Sequence, residues 1–160
     1  MKTNHDEILR KILEDIDEHG YLNHRESNTY EFKETFNMGN KSLYARTLAC
    51  FANNKGGYIL FGVKDKPRNL IGVDKIKFDS IKQEDITTFL KDHYEPEIKW
   101  DSGTVISQEK YFGYIYAHEA EEKPVICTSN TKESSQGDIF YRYRGQNKKI
   151  GYTELKKNDI

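Results

Sequence analysis

Ala49-Cys50-Phe51-Ala52-Asn53-Asn54-Lys55-Gly56-Gly57-Tyr58-Ile59-Leu60-Phe61-Gly62-Val63-Lys64-Asp65 is the stretch on which the fold turns. Its first four residues close a helical pattern that runs back to Ser42, with Tyr44, Leu48 and Phe51 in one stripe and Ala45, Ala49 and Ala52 alongside. The small residues allow close approach to a sheet, and Ser42 can cap the first turn. Asn53–Gly57 stops the helix. Tyr58–Val63 is mostly apolar and follows a glycine pair, as an interior strand does, and Lys64–Asn69 with Pro67 turns the chain.

Upstream, Thr29–Phe36 alternates: Tyr30, Phe32 and Phe36 fall on one side, with Glu34 as the exception, and Glu31, Lys33 and Thr35 on the other. This predicts a half-buried strand with a wet face. Residues 5–19 read as an amphipathic helix on Ile8, Ile12, Ile16, Leu9 and Leu13, ended by Gly20. Downstream come a short return strand at Leu70–Val73 and a helix at Ile81–His93. Strands follow at Ile98–Trp100, Gly103–Ile106, Tyr111–Ala117, Pro124–Cys127 and Asp138–Tyr143, then a short helix at Thr153–Lys157. The order predicts an α+β fold: a mixed sheet packed with two main helices plus an N-terminal helix. Residues 1–20 form that helix, a candidate dimer element, and residues 21–160 form a single domain.

At 160 residues one core is expected, and 25 Lys and Arg against 26 Asp and Glu leave a net charge of −1. That excludes a protein that coats DNA by its overall field, so any polyanion site must be local. The two cysteines, Cys50 and Cys127, lie in apolar stretches without a CxxC pair, as in a reduced compartment. The N-terminus lacks a signal peptide's apolar core and no run is long enough to span a membrane, so the cytoplasm is the expected location.

Three carboxylates draw attention: Glu26, Glu31 and Asp65. Acidic side chains at strand ends can converge on a divalent ion, and hard oxygen ligands suit Mg²⁺ or Mn²⁺. Glu26 and Glu31 are five residues apart, so convergence requires the chain to bend between them. The alternative is three ordinary surface carboxylates. Lys33 can meet a phosphate or pair with a carboxylate. Arg142, Arg144, Lys148 and Lys149, with Lys156 and Lys157 behind, form a basic patch interleaved with Tyr141 and Tyr143. Arg142 and Arg144 share a strand face and could clamp successive phosphates, or the patch is a solvated last strand. Asn53–Gly57 has the composition of a phosphate cradle but lacks the Gly-Lys-Ser/Thr of a Walker A loop, and it follows a helix rather than preceding one.

Four ordered blocks resemble the Schlafen/AlbA-2 family. They are Glu26-Ser27 with Glu31-Phe32-Lys33-Glu34; Ala49–Asp65; Ile71-Gly72-Val73; and Phe140-Tyr141-Arg142-Tyr143-Arg144-Gly145, with Glu154-Leu155 as tail. The family is described as DNA-binding in bacterial regulators. In animal Schlafens two such lobes form a horseshoe that cleaves tRNA and rRNA, with two glutamates of the opening motif and an aspartate closing the central one as metal ligands. Carried over, these fall on Glu26, Glu31 and Asp65. The resemblance therefore implies a metal-dependent endoribonuclease acting on structured RNA such as tRNA. The other implied reading is a non-catalytic DNA- or RNA-binding module. Because the chain holds one lobe, a homodimer is expected to rebuild the grip, and a lobe standing alone suits an enzyme or effector.

Overall fold

The computed structural model describes residues 4–151. The expected terminal helix at Thr153–Lys157, together with Lys156 and Lys157, lies outside the described residues.

The centre is a four-stranded mixed sheet in the order β1 (Tyr30–Lys33), β2 (Gly57–Phe61), β7 (Lys110–Ala117), β6 (Trp100–Ser107). β1 and β2 are parallel, in register Tyr30 to Tyr58 through Lys33 to Phe61, because α2 (Lys41–Ala52) carries the chain back between them. β7 then runs antiparallel to both β2 and β6.

Alternation along β2 and β7 sends side chains into two cores. Ile59, Phe61, Ile115 and Ala117 meet α2 and α4 (Gln83–His93) on one face. Tyr58, Leu60, Phe112 and Tyr114 meet α1 (His5–Glu14) on the other, where Leu9, Ile12 and Leu13 are buried. α1 thus spends Leu9, Ile12 and Leu13 on its own sheet and leaves Ile8 exposed. It ends at Glu14 rather than residue 19. Asp15 leaves helical geometry there, and the Asp17 carboxylate gathers the His19 and Tyr21 amides into a turn. Ser42, expected as a cap, lies within the first turn of α2 and donates to Thr131.

Two short pairs flank the sheet: β3 (Val63–Lys64) with β4 (Asn69–Leu70), and β5 (Tyr94–Glu95) with β8 (Ile126–Cys127). The short helix α3 (Lys75–Asp79) was not expected; Asp74 caps it and Phe78 packs where Gly113 leaves room. Among the described residues the last element is a hairpin, β9 (Phe140–Tyr143) and β10 (Gln146–Lys149). Its two-residue turn, Arg144-Gly145, has positive φ at both positions, as a primed hairpin turn requires. Among the described residues no helix is long and apolar enough to cross a membrane.

Candidate functional site

The segment before β1 does bend. The Ser27 amide donates to Tyr30 O, Thr29 N donates to Ser27 Oγ, and the turn folds the Glu26 side chain back along the strand. β1 is an edge strand, with β2 on one side only. On its other side Glu26 Oε2 accepts from Phe32 N at 3.0 Å, and Arg142 Nη2 donates to Tyr30 O at 3.0 Å. A carboxylate and a guanidinium therefore occupy backbone groups that a further strand would have used, which blunts the edge.

Arg142 carries the node. It is fully buried. Nε donates to Ser27 O at 2.9 Å, and Nη1 donates to Glu31 Oε1 and to Asn147 Oδ1, both at 2.8 Å. Its guanidinium lies 5.1 Å from the centre of the Phe51 ring. Four of its five N–H donors are thus placed on protein acceptors. The expected clamp of Arg142 and Arg144 on one wet face is corrected: Arg142 points inward with Phe140, and no donor face is left for a phosphate.

Glu31 is buried as well, at 8% exposure. The face of β1 expected to be wet is covered by α2 and by the hairpin. Glu31 Oε1 takes the Arg142 bond; Oε2 lies 3.4 Å from Lys33 Nζ and 3.3 Å from Thr47 Oγ1, which accepts in turn from Asn147 Nδ2 at 2.9 Å. Glu26 stays exposed as a residue, but partial desolvation of its carboxyl raises it above the ordinary range, and the neighbouring Glu31 charge adds to this, against the Phe32 amide, Arg142 and Lys33.

Asparagines of the central stretch fasten the same node from behind. Asn53, buried, donates to Val125 O and Phe140 O and accepts from Val125 N; Asn54 donates to Arg142 O. Asn53–Gly57 is thus a structural clasp rather than a phosphate cradle. Gly145 completes the contact, for a Cβ there would lie 2.9 Å from Glu26 O.

Asp65 stands apart. It is exposed in the β3–β4 turn, where its Oδ1 accepts from Lys66 N. Among the described residues no group of three His, Cys, Asp or Glu side chains is placed to hold a metal ion. Glu26, Glu31 and Asp65 therefore do not fit a shared Mg²⁺ or Mn²⁺: two are brought together, with their oxygens facing Arg142, Lys33 and a backbone amide, and the third is not. A groove of about 760 Å³ beside α4, lined by Thr87, Leu90, Lys91, Tyr94, Lys99 and Trp100, involves none of the motif residues.

The outer face of the hairpin is different in kind. Register places Tyr141 beside Lys148 and Tyr143 beside Gln146, all on the side opposite Arg142. Tyr143 is 46% exposed. Arg144 Cζ lies 5.3 Å and Lys148 Nζ 5.8 Å from the centre of its ring. Lys149, on the other face, pairs with Asp138 at 3.3 Å. Sequence reasoning missed Thr47 and Asn147, and it missed the positioning role of Asn53 and Asn54, while Tyr143, already in the patch read from the sequence, is the residue the node displays. Asn-Asn ahead of a glycine pair was a signal for the second pair; nothing local marked Thr47 or Asn147.

The family model described as Schlafen, AlbA_2 matches residues 26–151. A curated relative, an uncharacterised ATP-binding protein of Ureaplasma parvum, is 41% identical over 170 residues. That alignment takes in 97% of this chain and 48% of the relative, so the chain spans about half the length of the protein it matches. Among solved structures, a Corynebacterium diphtheriae protein aligns with a TM-score of 0.61 at 18% identity, covering 93% of this chain and 27% of that one. The N-terminal domain of a RecG-related protein from Nitrosomonas europaea aligns with a TM-score of 0.54 at 18% identity, covering 92% of each chain. Both are likenesses of fold.

Proposed function

The chain belongs to the Schlafen, AlbA_2 family, and from that premise we propose that it is a nucleic-acid-binding module whose contact surface is the outer face of the β9–β10 hairpin. The observation that carries the reading is Tyr143, 46% exposed with the Arg144 and Lys148 cations over its ring, on a hairpin locked by Arg142. With a net charge of −1 there is no global field to draw in a polyanion, so binding rests on such a local site. A locked hairpin loses little freedom when it meets a ligand.

The RecG-related neighbour is named as a DNA helicase relative, which fits this reading. ATP-binding is named only of the longer Ureaplasma relative, and this sequence carries no Walker A loop.

Cleavage of structured RNA with Mg²⁺ or Mn²⁺ is the finer reading that the family resemblance implies. It would require Glu31 to give up Arg142 and Lys33, and Asp65 to join it from the β3–β4 turn. The favoured reading is therefore binding without cleavage.

Labelled tRNA, single-stranded DNA and duplex DNA, incubated with the full chain in Mn²⁺ or EDTA, test both. The expected result is salt-dependent binding in either condition, weakened in the Arg144→Ala, Lys148→Ala double variant, with the nucleic acids intact. Binding that the double variant leaves unchanged overturns the hairpin surface. Cleavage that EDTA abolishes and Glu31→Gln removes restores the nuclease reading.

A further inference from the structure

We infer that the hairpin takes single-stranded nucleic acid, by stacking an unpaired base on Tyr143, rather than duplex; this rests on the binding surface proposed above. The sequence puts four basic residues on the hairpin and its turn: Arg142, Arg144, Lys148 and Lys149. Arg142 is buried and spent on Glu31, and Lys149 faces Asp138. That leaves Arg144 and Lys148, and among the described residues neither has a carboxylate within ion-pair distance. Two phosphate contacts give a weak, shallowly salt-dependent grip on a duplex, with a logarithmic slope of roughly −2. Duplex recognition of useful strength needs a longer row of cations than this hairpin offers.

The same surface suits a single strand. An unpaired base has a free π-face and a phosphate on either side, and it gains affinity by stacking on an aromatic side chain between cations. Tyr143 offers that ring, 46% exposed, with the Arg144 guanidinium and the Lys148 ammonium lying over it, so an incoming base takes the place of these exposed cations on the ring as they turn to its flanking phosphates. Tyr141, on the same face and half-buried, stands two residues along β9 beside Lys148. Bases inside a duplex are already stacked and cannot present a face to a protruding ring without being unstacked or flipped. The ring is also held in place: Arg142 anchors the strand below it, Asn54 bonds Arg142 O, and Gly145 seats the turn against the Glu26 backbone. Ribose and deoxyribose strands share the chemistry, so both serve as probes.

The test is fluorescence anisotropy of the full chain with labelled mixed-sequence oligonucleotides, as single-stranded DNA, single-stranded RNA and the matching DNA duplex. The expected result is single strands bound at least about tenfold more tightly than duplex. Tyr143→Ala lowers single-strand affinity by about tenfold, while Tyr143→Phe, which keeps the ring, stays within about twofold of the parent. Thermal melts of both variants check folding, which replacement of an exposed side chain should leave intact. Equal binding of single strand and duplex, lost in the Arg144→Ala, Lys148→Ala variant but untouched by Tyr143→Ala, overturns the stacking inference and leaves the binding surface standing. Binding to none of the three probes overturns both.

Discussion

Arg142 Nη1 lies 2.8 Å from Glu31 Oε1, and this contact joins the first strand of the sheet to the last hairpin with neither partner open to solvent. An ion pair taken out of water is weak as a net source of stability, but removing one partner leaves the other charged and buried. Arg142→Ala should therefore cost about 3–5 kcal/mol, measured by urea unfolding. Arg142→Lys should fail to rescue most of it, because one ammonium cannot serve Ser27 O, Tyr30 O, Glu31 and Asn147 together. Combining Glu31→Gln with Arg142→Met should cost less than the sum of the single changes. Arg142→Ala within about 1 kcal/mol of the parent would show that the pair holds nothing together.

This contact also marks where the sequence stopped being legible. Helix α2, strand β2 and the turn after it were readable because one period of apolar residues gives way to another at Asn53–Gly57. The side of β9 that faces inward was not. Phe140-Tyr141-Arg142-Tyr143 has aromatic residues on both faces, so alternation alone cannot say which is buried, and a strand of this pattern ordinarily turns its arginine outward. The deciding fact is Glu31, more than a hundred positions away in the chain. Arg144 leaves the strand altogether because, with Gly145, it makes the turn. At Asp101-Ser102 the sequence suggested a break between two strands; β6 runs through it, paired with β7 all along, and Gly103 fits there because the Tyr114 hydroxyl sits 2.8 Å from where a Cβ would stand. A bend between Glu26 and Glu31 was only a condition for a shared metal; the turn at Ser27–Tyr30 supplies one, and Arg142 fills it.

Glu26 should give an inverted pH response. Partial desolvation and the Glu31 charge hold the folded-state pKa of this otherwise exposed residue above the ordinary carboxylate range, so the folded protein binds that proton more tightly than the unfolded chain does. Its contribution is fully present below the unfolded value and is lost as pH rises through the folded one. Glu26→Gln keeps an oxygen for the Phe32 amide and removes the charge. It should match or exceed the parent in stability near neutral pH, and the advantage should shrink on acidification. Glu26→Ala, which loses the acceptor, should cost about 1 kcal/mol. Urea midpoints taken from neutral pH down through the carboxylate range check the sign; an advantage for Glu26→Gln that grows as pH falls would contradict it.

Gly145 and Gly137 both have positive φ, +74° and +91°, but only Gly145 is hemmed in. Added bulk at Gly137 meets nothing within 4 Å, whereas at Gly145 it meets the Glu26 carbonyl. Gly137→Ala should cost about 1–2 kcal/mol, the backbone penalty alone. Gly145→Ala should cost clearly more, because the turn must also withdraw from Glu26. It should weaken nucleic-acid binding with it, since Arg144 and Tyr143 ride on that turn. Equal melting temperatures for the two variants would mean that the seat against Glu26 is unimportant.

Asp101 should tie the docking of α1 to acid pH. His5 Nε2 and His118 Nε2 each lie 2.8 Å from its Oδ2, and His5 Nδ1 lies 2.6 Å from the Tyr58 hydroxyl. Burial works against the ionised carboxylate, but the bonds from His5 and then His118 outweigh it and hold the carboxyl below the ordinary range. A depressed carboxyl contributes stability above the unfolded pKa and loses it as pH falls through the folded one. With neutral imidazoles, donation from His5 Nε2 leaves Nδ1 to accept from Tyr58, so one tautomer pins the first turn of α1 to β2 and β6. Asp101 is 42% exposed at its side chain, which limits the gain from charge to about 1 kcal/mol. Asp101→Asn should therefore cost about that much near neutral pH and flatten the loss of stability in acid. Hydrogen exchange at the amides of Leu9–Leu13 should quicken while those of β2 stay protected, because α1 would loosen ahead of the sheet. Unchanged exchange in α1, together with an unaltered acid limb, would show that Leu9, Ile12 and Leu13 hold the helix without this bridge.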